Sequence, residues 1–152
     1  KLSDSQMRQL NYDIKTVAEL QPHEVIRNHF AQVVCYRARK KNALLNTDLD
    51  DFYKICLQDH AILSAIEDDT RLLLYPFLLY VVCHELIHVV RFRRFLQQFN
   101  VPAAQRDAEE VRVHQRTHEI LAGRRISGMQ PVFDFYEKWL LHSPGGTGAA
   151  EV

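Results

Sequence analysis

Apolar residues in this 152-residue chain recur at intervals of three and four, broken by one long apolar run from Leu72 to Val90. Met7, Leu10, Ile14, Val17 and Leu20 have the spacing of an amphipathic helix over 3–20, with Ser3 or Asp4 as its cap. Val25, Ile26, Phe30, Val33, Val34 and Tyr36 predict a second helix from His23 to Lys41, closing in a basic run that suits a helix C-terminus. Phe52, Ile55, Cys56, Leu63 and Ile66 mark a third, capped by Asn46, Thr47 or Asp48 and ending near Asp68. The long apolar run predicts a central helix between Thr70 and Phe99, which Pro76 either kinks or starts late. After a turn at Asn100-Val101-Pro102, residues 103–122 read as helix again, stopped by Gly123. A short amphipathic helix opens at Pro131 and carries Val132, Phe135, Tyr136, Trp139 and Leu140.

Only five glycines occur, three of them in the tail, and no long segment alternates with period two. The expected fold is therefore all-α: an antiparallel bundle of four main helices plus short N- and C-terminal helices. Residues 1–142 form one domain in this reading, and the Gly/Ala-rich segment 143–152 is expected to be disordered. Nineteen basic and nineteen acidic residues cancel, which argues against a nucleic-acid partner recruited by bulk charge. Three scattered cysteines, Cys35, Cys56 and Cys83, suggest reduced thiols in a cytoplasmic setting. The run Leu72–Val90 is near membrane-spanning length, but Pro76, His84, Glu85 and His88 interrupt it and arginines follow at once. It is expected to be the buried central helix of a soluble protein rather than a membrane segment.

Chemistry concentrates in Cys83-His84-Glu85-Leu86-Ile87-His88. On a helix turning about 100° per residue, His84 and His88 project about 40° apart and Glu85 lies near them. Burying three such groups is costly unless something pairs with them, and a metal ion is the usual partner. Beyond the turn, Glu110, His114 and His118 follow at intervals of four. Folding the two helices into a hairpin about Val101 sets His84 opposite His118 and His88 opposite His114. The same reflection puts Glu110 beside Arg91, so Glu109 or Glu110 can be read as a salt-bridge partner of Arg91 or Arg94. His60, on the expected third helix, falls about a turn from the site. His23, His29 and His142 read as surface or capping residues, and Arg91-Phe92-Arg93-Arg94-Phe95 as a solvated helix face.

Three resemblances attach to these residues. His84-Glu85-Leu86-Ile87-His88 resembles the HExxH motif of zinc peptidases, which implies His84 and His88 as ligands, Glu85 as general base, and Glu109 or Glu110 as third ligand. The thermolysin-like branch commonly has an aspartate four residues after its glutamate; here that place holds Val113 or His114. Glu85-Leu86-Ile87-His88 also resembles the Glu-x-x-His half-motif of ferritin-like di-iron bundles, without a second copy. The spacings His84-x-x-x-His88 and His114-x-x-x-x-Glu119 are similar to those of hemerythrin-like bundles.

The favoured expectation from sequence is a helical bundle holding one or two ions of iron or manganese, with oxygen-linked redox activity implied by the ferritin-like resemblance. His84, Glu85, His88 and His114 are its first ligands, with Glu110, His118 and His60 as further candidates. The alternatives are a small zinc peptidase and a non-enzymatic metal carrier. A small-molecule substrate stays unidentified, and homo-oligomerisation stays open.

Overall fold

The computed structural model describes residues 10–39, 49–94 and 98–142. The tail 143–152 and the start of the expected first helix lie outside them, as do the side chains of Trp139, Leu140 and His142. Among the described residues the chain forms a three-stranded mixed sheet followed by four helices. The strands are β1 (Tyr12–Lys15), β2 (Ala31–Arg39) and β3 (Leu49–Leu57). The helices are α1 (Asp59–Asp68), α2 (Leu74–Arg93), α3 (Ala103–Ala122) and α4 (Met129–His142).

The fold is thus α/β, and the expected all-α helical bundle is wrong in its first third. β3 is the central strand. It pairs in parallel with β1, Tyr12 opposite Tyr53 and Ile14 opposite Ile55, and antiparallel with β2, Ala31 opposite Leu57 and Val33 opposite Ile55. Strand geometry sends alternate side chains to opposite faces, so Tyr12, Ile14, Ala31, Val33, Cys35, Tyr53, Ile55 and Leu57 all join the core under the helices. The residues that suggested helices at spacings of three and four are divided between the two faces of the sheet. β-branched and aromatic side chains in Val33-Val34-Cys35-Tyr36 and Phe52-Tyr53-Lys54-Ile55 fit a pleated, half-buried surface better than a helix.

A buried carboxylate fastens the segment before β2 to the sheet's other face. Glu24, fully buried in a single 3-10 turn, accepts from Lys54 Nζ at 2.7 Å, from the Tyr36 hydroxyl, and from the backbone N–H of Gln21 at 2.7 Å. Its backbone carbonyl accepts from Gln32 Nε2 at 3.0 Å and Gln58 Nε2 at 2.9 Å. Burial raises the Glu24 carboxyl, but Lys54 and Tyr36 outweigh it and bring it down to about 2.

The C-terminal half follows the sequence closely. Pro76 sits in the first turn of α2, where a missing N–H costs nothing, so it delays the helix start and does not kink it. The helix packs across β2 and β3 on one side and against α3 and α4 on the other. Phe77, fully buried, meets Phe30 edge-on at 5.1 Å and Phe135 edge-on at 5.6 Å, tying the strand side to α4. By length and composition α2 could cross a membrane, and 56% of that stretch is buried inside the fold. Cys35, Cys56 and Cys83 are free, with Cys56 in the core.

Candidate metal centre

One face of α2 carries His84 and His88 a helical turn apart, and α3 runs beside it carrying Glu110 and His114 a turn apart. His84, Glu85, His88 and His114 are all buried. His84 Nε2 and His88 Nε2 lie 3.0 Å from each other. His84 Nε2 is 3.2 Å from Glu110 Oε2, and His88 Nε2 is 3.1 Å from Glu110 Oε1. His114 stacks into the same cluster, its ring centroid 4.3 Å from that of His84. One donor atom from each of His84, Glu110 and His114 falls within 4.8 Å of the others.

Protons alone satisfy this arrangement poorly. Each Nε2 carries at most one proton. If both histidines direct it at Glu110, two N–H donors face each other at 3.0 Å. If one is turned away, a Glu110 oxygen loses its partner. A cation shared by the three groups relieves both conflicts. Donors around a tetrahedral zinc with bonds of about 2.0–2.2 Å stand roughly 3.3–3.5 Å apart, so the cluster is within a few tenths of an ångström of a ligand shell. His84 Nδ1 is buried without a hydrogen-bond partner among the described residues, a cost that coordination at Nε2 would have to outweigh.

The two neighbouring glutamates of α3 divide. Glu109 is held by Arg91 Nη2 at 3.0 Å and Arg112 Nη1 at 2.6 Å, and Arg91 Nε also donates to it. Burial raises the Glu109 carboxyl, but the two guanidinium groups more than offset it and keep it below its ordinary range. Burial likewise raises Glu110, and its histidine partners reverse the shift and hold it well below the usual carboxylate range. Glu85 goes the other way: burial pushes its carboxyl up, against the pull of His84 and His88.

Of the residues expected at the site, His84, His88, His114 and Glu110 come together, with Glu85 beside them. His118 and His60 do not join. His118 stacks on Phe133 at 4.1 Å, and His60 Nε2 lies 3.1 Å from the Ile26 carbonyl on the strand side. The hairpin reflection is off by one turn: His84 faces His114 rather than His118, and His88 faces Glu110. The reason is that α2 ends at Arg93, well before the expected Phe99, so the axis of reflection lies nearer α2 than Val101. The expected arginine pairing belongs to Glu109 and not to Glu110.

Two residues escaped the sequence reading. Tyr80, one turn before His84, places its hydroxyl 3.0 Å from His114 Nδ1; its position on the face of α2 shared with His84 was the available signal. His29 was read as a surface residue. Asn28 in front of it has φ +67°, a left-handed conformation asparagine tolerates, and His29 Nδ1–H donates to the Arg27 carbonyl at 3.1 Å. His29 Nε2 is buried, and its ring contributes to the field at Glu85. A backbone-directed histidine in a loop leaves no trace in periodicity.

No protein-family model, curated protein or solved structure matches this chain.

Proposed function

We propose that the chain is a zinc-dependent hydrolase of the HExxH type that cleaves peptide bonds. The observation that carries the reading is the convergence of His84 Nε2, His88 Nε2 and the Glu110 carboxylate at 3.0–3.2 Å, with Glu85 buried alongside. Two imidazoles and one carboxylate are the protein ligands of one common catalytic zinc site, which keeps its fourth position for water. Zinc supplies an activated water and polarises the substrate carbonyl. Glu85 then takes the proton of the attacking water and returns it to the leaving amine. A carboxyl raised by burial suits both halves of that task.

The sheet supports a peptide as substrate. Among the described residues one edge of β2 is unpaired, and α2 packs across β2, so an extended peptide can add to that edge close to the site. Less supports the iron or manganese reading. A second metal needs further carboxylates, and Glu109, the nearest spare one on α3, is occupied by Arg91 and Arg112.

The test pairs metal content with cleavage. The chain loaded with one zinc should cleave members of a peptide library in a chelator-sensitive way. Glu85→Gln should retain its zinc and lose about 10²–10⁴-fold in kcat, the range for removal of a general base. Iron or manganese at two ions per chain, or cleavage undiminished in Glu85→Gln, would overturn the reading.

A further inference from the structure

His114 stands close enough to His84 and Glu110 to be a fourth protein ligand, which would close the coordination shell and leave no position for water. The Tyr80 hydroxyl bears on which role it takes. Tyr80 is buried against Tyr136, ring centroids 4.1 Å apart, and its hydroxyl meets His114 Nδ1 at 3.0 Å. Were Nδ1 the donor of that bond, the phenolic proton would be buried with no acceptor in reach among the described residues. The economical arrangement has Tyr80 O–H donating to Nδ1. A neutral imidazole has one lone pair in its plane, so that bond consumes it and leaves the ring's own proton on Nε2. Burial keeps the phenol protonated and the imidazole neutral, pushing Tyr80 up and His114 down to about 3.

Resting on the zinc-hydrolase reading above, we propose that Tyr80 withholds His114 from the metal and fixes it as an N–H donor to the substrate carbonyl oxygen. The pair thereby keeps the fourth coordination position open and adds a donor where negative charge develops during attack. His114 touches substrate; Tyr80 acts through it as a positioning residue.

The full chain is tested with zinc alone by competition against a chromophoric chelator, and with cobalt as a visible-band probe of coordination. His114→Ala and the milder His114→Gln should bind zinc within about threefold of the parent, while kcat falls about 10²–10³-fold with KM little changed, as for loss of an oxyanion donor. Tyr80→Phe keeps the ring packing but frees the lone pair. Its cobalt spectrum should shift as His114 enters the shell, and the shift should vanish in the Tyr80→Phe/His114→Ala double variant. A tenfold or greater loss of zinc affinity in both His114 variants, or a Tyr80→Phe spectrum identical to the parent's, would overturn the proposal and leave the zinc site standing. Failure of the parent chain to bind zinc would remove both.

Discussion

Glu109 and Glu110 are adjacent in sequence and point to different chemistry. Their side chains are about 100° apart around α3, enough to send one to Arg91 and Arg112 and the other to His84 and His88. Glu110→Ala should therefore weaken zinc binding at least tenfold in a chelator competition. Glu109→Ala should leave zinc affinity nearly unchanged and instead lower the unfolding free energy by about 3–5 kcal/mol, because it strands a half-buried arginine. Denaturant titration of the two variants checks the second half. The sequence alone shows both glutamates near an arginine and near the histidine level; it cannot say which is which, since a single turn of offset between α2 and α3 exchanges them.

Among the elements, α2 and α3 were legible and the sheet was not. An apolar run with its polar interruptions on one face has few alternatives to a buried helix, and residues 103–122 were placed at their observed bounds. β3 fooled the periodicity because Phe52, Ile55 and Cys56 satisfy a helical spacing while Tyr53, Ile55 and Leu57 satisfy a strand's. In so short a stretch, the charged Lys54 between buried Tyr53 and Ile55 was the better guide. Its partner explains it: Lys54 reaches the buried Glu24.

That pair makes a prediction at the same scale. Glu24 titrates at about 2 in the fold against an ordinary 4.5, so its contribution to stability is full above pH 4.5 and is lost as pH falls towards 2. Thermal melts across that window should show a steeper acid loss in the parent than in Glu24→Gln. Equal slopes would mean the carboxylate contributes nothing through its charge. Phe77, at the junction of sheet and helices, should cost about 3–5 kcal/mol when cut to alanine, read from the denaturant midpoint.

For the whole molecule, the site sits where the two halves of the fold meet. α2 lies between the sheet and the helices α3 and α4, so its buried histidines are ordered by packing before any ion arrives. A metal bound to the folded state alone stabilises it by mass action, about 2.7 kcal/mol at a hundredfold excess over Kd. Zinc should accordingly raise the thermal midpoint of the parent and leave Glu110→Ala unmoved. The expected architecture of a helical bundle was overturned, yet the metal site foreseen from His84, His88 and the α3 residues does not depend on it. Its geometry comes from two helices packed side by side, and that pair is common to both architectures.

X-ray absorption at the zinc edge of the reconstituted chain tests the central claim most directly. The account predicts one four-coordinate zinc per chain with two imidazoles and oxygen neighbours at about 2.0–2.2 Å, and loss of imidazole scattering in His84→Ala. Sulfur in the shell from Cys83, or a solvent-only shell unchanged in His84→Ala, would contradict it.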